Sequence, residues 1–196
     1  MLLPSIYLAS ASPRRRQLLE QIGIVHEVLR VPSPDGEDEP VLENEAPANY
    51  VCRTARDKAL RARGWIRHES LAPRPVLAAD TTVILGGDIL GKPADAGHAR
   101  DMLRRLSGSV HEVRTAIVLD WRGRLQEDVS VTEVRFRPLA EAEIDAYCAS
   151  GEPLGKAGAY GIQGMAAIFV AHISGSYTGV MGLPLFETHR LLRAYL

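Results

Sequence analysis

Residues 6–23 read IYLASASPRRRQLLEQIG, and this stretch predicts the first structural unit of the chain. The apolar run from Ile6 to Ala9 predicts a short buried strand. Ser12 is a favourable N-cap, Pro13 is a favourable first helical residue, and Gly23 predicts the end of the helix. We therefore expect a strand, a tight loop and a helix in that order.

Arg14, Arg15 and Arg16 fall in the first turn of this predicted helix. Cations are unfavourable there, by roughly a few tenths of a kcal/mol each, because the N-terminal end of the helix dipole is already positive. Free backbone amides at the same place favour an anion. The sequence therefore predicts that this loop binds a phosphate-bearing ligand, whose charge would remove the conflict.

The rest of the chain mixes predicted helices with predicted strands. Helices are expected from Pro47 to about Gly64, after the N-cap Asp95, around Ile144 to Cys148 and from Pro184. One strand is expected over 76–79, ending in Asp80-Thr81-Thr82 and continuing over 83–85 to a turn at 86–88. Further strands are expected over 113–121 and 129–136, and a buried strand is expected around 168–173. No linker separates domains, so we expect one domain over residues 1–196 with a mixed α/β (α+β) sheet flanked by helices.

Composition excludes several classes of protein. The 196 residues carry a formal net charge of -1, which provides no global field for DNA or an acidic membrane. Cys52 and Cys148 are too few for a disulfide framework or a four-ligand zinc site, and a reducing cytoplasm fits best. No signal peptide or membrane span is recognisable. We expect a cytoplasmic protein with no membrane partner, for which nucleic acid is a poor candidate.

Lysine is rare in this chain, because all but three of its 23 lysine and arginine residues are arginine. The three exceptions are Lys58, Lys92 and Lys156. A lysine kept in such an arginine-rich chain suggests a place that needs a compact ammonium group. The alternative is chance together with surface solvation.

Familiar catalytic motifs are missing. The sequence has no G-x-x-x-x-G-K-[ST] loop, no G-x-G-x-x-G before a helix and no G-x-S-x-G elbow. Asp80, at the expected end of a buried strand, could act as a general base on water or could bind Mg²⁺. The alternative is a turn-forming aspartate that caps a neighbouring amide.

Seven blocks of the sequence, in order, resemble the Maf family of nucleoside triphosphate pyrophosphatases. The resemblance implies a two-lobed mixed sheet with a central cleft, related to the inosine triphosphate pyrophosphatases, and commonly a homodimer. It also implies hydrolysis of a nucleoside triphosphate to the monophosphate and pyrophosphate with a divalent cation, Mg²⁺ or Mn²⁺. The blocks are residues 8–15, 50–59, 79–83, 91–93, 106–108 with His111, 156–164, and 175–177 with 182–184.

The resemblance assigns roles to individual residues. Asp80 matches the family's proton acceptor, and Glu39 lies where the family tends to place a metal-linked glutamate, although Glu37 or Asp38 could take that position. The candidates for phosphate contact are Ser12, Arg15, Lys58, Lys92 and Lys156.

Three further positions resemble the branch that hydrolyses dTTP and UTP: Arg14, Thr81 and Gln163. The branch that acts on 7-methylguanosine triphosphate differs at these positions. An amide at Gln163 could pair with the imide edge of thymine or uracil, where two carbonyls flank one N–H donor. Modified pyrimidine triphosphates are further candidate substrates.

Two other functions remain open from the sequence. One is a non-catalytic nucleotide- or nucleic-acid-binding regulator of cell division. The other is a pyrophosphatase of broader or 7-methylguanosine triphosphate specificity.

Overall fold

We describe the protein from a computed structural model, which covers residues 5–32 and 39–194. The described part contains seven strands and six α-helices. In chain order they are β1 (Ile6–Leu8), α1 (Pro13–Gln21), β2 (His26–Val28), α2 (Pro47–His68), β3 (Val76–Leu85), β4 (Asp88–Leu90), α3 (Ala96–Leu106), β5 (Val110–Trp121), β6 (Arg124–Phe136), α4 (Glu141–Ala149), β7 (Val170–Ser174), α5 (Tyr177–Met181) and α6 (Leu185–Arg193).

The strands form one mixed sheet, which confirms the predicted fold class. Their order is β2-β1-β3-β5-β6-β7, and β4 pairs with β3 off this path. Strand β1 pairs in parallel with β2 and β3, whereas β4 is antiparallel to β3 and β7 is antiparallel to β6. In the described residues, no helix is long and apolar enough to cross a membrane.

Contacts divide the chain into two compact units. The first unit holds the described residues up to Asp80, residues 115–130 and those from Gly182 onward. The second unit holds residues 81–114 and 131–181. The boundary falls inside β3, between Asp80 and Thr81.

In the first unit, helix α2 packs through small side chains. Val51, Ala55 and Ala59 recur every four residues, so they lie on one face, and all three are completely buried. They pack against Ala78 of β3 and against apolar residues of β5. Because alanine has a short side chain, the helix lies close to the sheet, and Lys58 on the same helix can reach a residue of β3.

The second unit has an aromatic core. Phe136 makes edge-to-face contacts with His111, Tyr160 and Phe169, at ring-centroid distances of 5.0, 4.9 and 6.0 Å. Such contacts stabilise a pair by roughly 0.5–1.5 kcal/mol beyond the burial of its area. Tyr160 lies within the 156–164 block, so this core holds one of the segments that the sequence singled out.

Two predicted boundaries are wrong. Helix α2 continues four residues past Gly64, because burial of Ile66 on the same apolar face outweighs the roughly 1 kcal/mol that glycine costs inside a helix. Strand β3 runs to Leu85, as the predicted continuation over 83–85 indicates, but it has no break at Asp80. The next two residues, Thr81 and Thr82, are β-branched and favour an extended chain, so Asp80 lies in mid-strand.

The expected strand around 168–173 is present as β7, but the expectation that it is buried is wrong. The observed strand, β7, lies at one end of the sheet order and is partly exposed along its length. Ile168 precedes it in a short 3-10 segment and is 67% exposed. An edge strand pairs with a neighbour on one side only, so its other side can stay exposed to solvent. An apolar run in the sequence therefore does not by itself predict a buried strand.

Candidate active site

Lys58 joins the two acidic residues that the sequence singled out. Its Nζ donates a hydrogen bond to Oδ1 of Asp80 at 2.7 Å and forms an ion pair with the carboxylate of Glu39. Asp80 is buried, and Lys58 and Glu39 are largely so. The structure therefore brings together the predicted proton acceptor, one predicted phosphate ligand and the predicted metal ligand.

The contacts of α2 explain why Glu39 lies there. The O–H of Tyr50 donates to the main-chain carbonyl of Glu39 at 3.1 Å. One turn later, the Thr54 hydroxyl donates to the Tyr50 carbonyl at 2.9 Å, and both residues are buried. Tyr50 thus holds the main chain at Glu39 against the helix that carries Lys58.

Arg15 lies in the same electrostatic environment and donates hydrogen bonds to two other residues of the first unit. Its Nε donates to the Gly182 carbonyl at 2.8 Å, and its Nη1 donates to the Ser10 hydroxyl at 3.1 Å. Burial lowers the pKa of Arg15, and the charges of Asp80 and Glu39 oppose this effect. Arg15 therefore adds positive charge near the carboxylates of Asp80 and Glu39. It also joins the loop at Ser10, which precedes α1, to the main chain at Gly182.

The loop before α1 is the segment that the sequence predicts to bind an anion. Ser12 is the N-cap, but its side chain makes no capping hydrogen bond, and the first helical turn contains no acidic residue. The Ser12 amide donates to the Ser10 hydroxyl at 3.2 Å. Burial lowers the pKa of Arg14, the half-buried second helical residue. The amides of this helix end are thus not neutralised by a side-chain carboxylate of the first turn.

The second unit brings together the segments of Lys92, Lys156 and Gln163. A β-carbon placed on Gly161 would lie 3.0 Å from Cε of Lys156 and 3.6 Å from Oε1 of Gln163, so both side chains pass close to this glycine. The amide of Gly158 donates to the carbonyl of Gly91 at 3.0 Å. This hydrogen bond joins the loop that carries Lys156 and Gln163 to the residue before Lys92.

The predicted site residues thus fall into two groups by unit. Thr81 follows Asp80 along β3, so their side chains point to opposite faces of the strand. Glu37 and Asp38, the alternatives to Glu39, lie outside the described residues. The first unit contains Ser12, Arg14, Arg15, Glu39, Lys58 and Asp80, and the second contains Thr81, Lys92, Lys156 and Gln163.

The acidic residues fit a hard divalent cation better than zinc. Within residues 5–32 and 39–194, no group of three or more histidine, cysteine, aspartate or glutamate side chains could hold a metal. Asp80 and Glu39 supply two carboxylates that meet at one ammonium. Mg²⁺ is commonly held by one or two carboxylates together with substrate phosphates and water. This pair matches that donor set.

Sequence reasoning missed Ser10, Tyr50 and Gly182 as parts of the site. Each lies inside a block that carries the family resemblance, but the resemblance attaches no role to any of the three. Ser10 accepts two hydrogen bonds, Tyr50 donates one and Gly182 contributes only its carbonyl. A backbone carbonyl leaves no signal in a sequence.

A comparison with protein families gives a match over almost the whole chain. The family model described as "Maf-like protein" matches residues 5–195. A relative from Bordetella parapertussis, named "dTTP/UTP pyrophosphatase", is 63% identical over 191 residues, which is 97% of this chain and 92% of the relative. A relative of the same name from Nitrosomonas europaea is 54% identical over 193 residues, covering 95% and 92% of the two chains.

Among solved structures, the Staphylococcus aureus Ham1 protein resembles this chain with a TM-score of 0.43. The two sequences are 12% identical, and the alignment covers 68% of this chain and 72% of that one. At that TM-score the likeness adds nothing to the assignment.

Proposed function

This chain belongs to the Maf-like protein family, and from that premise we propose that it hydrolyses dTTP and UTP to the monophosphate and pyrophosphate. Relatives more than half identical to it over nearly their whole length bear the name of that activity. The observation that carries the proposal is the ion-pair cluster in which Lys58 contacts both Asp80 and Glu39.

Charge compensation in this cluster suits a triphosphate. Two carboxylates by themselves would repel a polyanion. Lys58 contacts both of them, and Arg15 adds a second positive charge that interacts with both. Buried cations of this kind stabilise the charge that develops on a leaving pyrophosphate. Ser12 and the amides of α1 would add hydrogen-bond donors to a phosphate.

In the proposed reaction Asp80 accepts the proton of the attacking water. The water oxygen forms a bond to the α-phosphorus, and the bond from that phosphorus to the oxygen bridging to the β-phosphate breaks. Lys58 holds the Asp80 carboxylate in one orientation through the 2.7 Å hydrogen bond. Lys92 and Lys156 are proposed to contact phosphate, as the motifs that contain them suggest.

A divalent cation is part of the proposal. Asp80 and Glu39 are the residues that would hold it, and Mg²⁺ or Mn²⁺ fits their oxygen donors. Such a cation polarises phosphoryl oxygens and makes bound water more acidic. Its presence would also relieve the repulsion between the two carboxylates and the substrate.

Base selection is proposed to rest on Gln163, together with Arg14 and Thr81. The Gln163 side chain is exposed, so its amide is accessible to a ligand. The amide offers both a donor and an acceptor to the imide edge of thymine or uracil. A homodimer is a further prediction from the family resemblance, and a cytoplasmic location is one from the cysteine content.

The test is a turnover assay with Mg²⁺ or Mn²⁺ and a panel of dTTP, UTP, CTP and 7-methylguanosine triphosphate. We expect monophosphate and pyrophosphate from dTTP and UTP. Asp80→Asn should lower kcat by about 10²- to 10⁴-fold, which is the usual contribution of a positioned general base. The control is Asp57→Asn, because Asp57 neighbours Lys58 in sequence but pairs with Arg53 on the helix surface.

Two results would contradict the proposal. Binding of dTTP without turnover by the wild-type protein would favour the regulator. An Asp80→Asn variant as active as Asp57→Asn would exclude Asp80 as the base.

A further inference from the structure

Glu152, which no motif assigned to the site, holds both ends of the loop that carries Gln163. Its Oε1 accepts a hydrogen bond from the O–H of Tyr147 at 3.0 Å, and its Oε2 accepts one from the amide of Met165 at 3.0 Å. Its main-chain carbonyl accepts from Nζ of Lys156. One glutamate therefore contacts the segments before and after Gln163.

Tyr147 extends this contact to the other side of Gln163. Its hydroxyl oxygen accepts a hydrogen bond from the Gly161 amide at 3.3 Å. Gly161 and Met165 each lie two residues from Gln163, one before it and one after it. The Tyr147–Glu152 pair thus holds the main chain at both flanks of the proposed specificity residue.

Close packing at Gly164 ties the loop to the same carboxylate. A β-carbon at Gly164 would lie 2.2 Å from Oε1 of Glu152 and 2.7 Å from its Oε2. Any side chain there would displace Glu152 or move the loop. The residue next to Gln163 therefore lies directly against the Glu152 carboxylate.

The tyrosine is itself fixed. Tyr147 is 2% exposed, and its ring packs edge to face on Phe169 at 5.3 Å. Burial, and next the charge of Glu152, raise the pKa of Tyr147. The hydroxyl therefore stays protonated at neutral pH and donates a hydrogen bond to Glu152.

We propose that Glu152 is a positioning residue for base recognition, which acts by holding the Gln163 main chain through Tyr147 and the Met165 amide. The inference rests on the proposed role of Gln163 in discriminating between pyrimidine bases. The Tyr147 hydroxyl and the Met165 amide each donate to a different oxygen of the Glu152 carboxylate. A glutamine side chain has only one acceptor oxygen, so Glu152→Gln cannot accept both hydrogen bonds in the same arrangement.

The experiment measures kcat and KM for dTTP and CTP in the wild-type protein, Glu152→Gln, Tyr147→Phe, the double variant and Gln163→Glu. We expect the preference for dTTP over CTP, as the ratio of kcat/KM values, to fall about tenfold in Glu152→Gln. The loss should lie mainly in KM for dTTP. Tyr147→Phe keeps the ring contact and should show the same direction of change.

The matched control is Glu143→Gln. Glu143 lies on the same helix as Tyr147 and makes hydrogen bonds to Arg137 and to the Ala140 amide, outside the 161–165 segment. It should alter stability without altering the dTTP/CTP ratio. The double variant should be no worse than the more damaging single variant, because both substitutions remove one linked set of contacts.

The outcomes distinguish the positioning role of Glu152 from the specificity role of Gln163. An unchanged ratio in Glu152→Gln, with a changed ratio in Gln163→Glu, would overturn the positioning role and leave the proposed function intact. An unchanged ratio in Gln163→Glu would overturn the role of Gln163 and the present inference with it. If Glu152→Gln fails to fold by circular dichroism, Tyr147→Phe decides by the same ratio.

Discussion

Protonation of His111 should make the protein less stable as the pH falls from 7 to 5. His111 is 2% exposed, its Nε2 lies 2.9 Å from the Tyr160 hydroxyl, and its Nδ1 is buried with no hydrogen-bond partner in the described residues. Burial lowers its pKa from the usual 6.5 to about 4. Burial also raises the pKa of Tyr160, which therefore stays neutral over this range.

The sign and size follow from proton linkage. Between pH 6.5 and pH 4 the unfolded chain binds a proton at this histidine and the folded chain does not, so acid favours unfolding. The difference between the unfolded and folded pKa values of His111 changes the free energy of unfolding by about 3 kcal/mol in full. About 2 kcal/mol of this is lost between pH 7 and pH 5.

Urea unfolding at pH 7 and pH 5 measures this effect. We compare the wild-type protein with His111→Gln, whose amide does not titrate and can still form a hydrogen bond with the Tyr160 hydroxyl. The variant should be less stable at pH 7, because it loses the ring contacts, but its free energy of unfolding should fall by about 2 kcal/mol less between the two pH values. An equal fall in both proteins would refute the reasoning.

Two further substitutions test the packing of the loops. Gly158→Ala should lower stability by roughly 2–4 kcal/mol, because φ is +66° and the new β-carbon would lie 2.9 Å from both methyl groups of Val83. Gly155→Ala, at φ +73° with no atom within 4 Å, carries only the backbone penalty, so equal melting temperatures for the two variants would contradict the contact. Arg15→Lys keeps the charge but cannot donate to both Gly182 and Ser10, and we expect a loss of roughly 1–2 kcal/mol in urea unfolding together with a higher KM for dTTP. An unchanged KM and stability would show that neither hydrogen bond matters.

The local structure around the predicted site was readable in the sequence to differing degrees. Asp95 caps α3 through the His98 amide as expected, and the apolar face of that helix is buried as its spacing predicts. The predicted continuation of β3 over 83–85 is confirmed, but the predicted strand end at Asp80 is wrong, because the strand runs on without a break into its pairing with β4. Helix caps depend on residues three or four apart, whereas strand ends depend on partners far along the chain.

Glu152 shows a second limit on sequence reasoning. Its neighbours Pro153 and Leu154 give no reason to connect it with Gln163, eleven residues later. Only the fold brings its two oxygens to Tyr147 and to the Met165 amide. A hydrogen bond to a main-chain amide is independent of the side chain at that position, so residue type carries no record of it.

The order of residue types alone was enough for the family, the mixed fold and the identity of the charged candidates Lys58, Asp80 and Glu39. Those conclusions rest on local patterns and on motifs whose chemistry belongs to side chains. The tertiary structure decided that Lys58 contacts both carboxylates, that Arg15 is bound to Ser10 and Gly182, and that Glu152 holds the Gln163 loop. These are contacts between distant or main-chain groups, and their geometry exists only when the whole chain has packed.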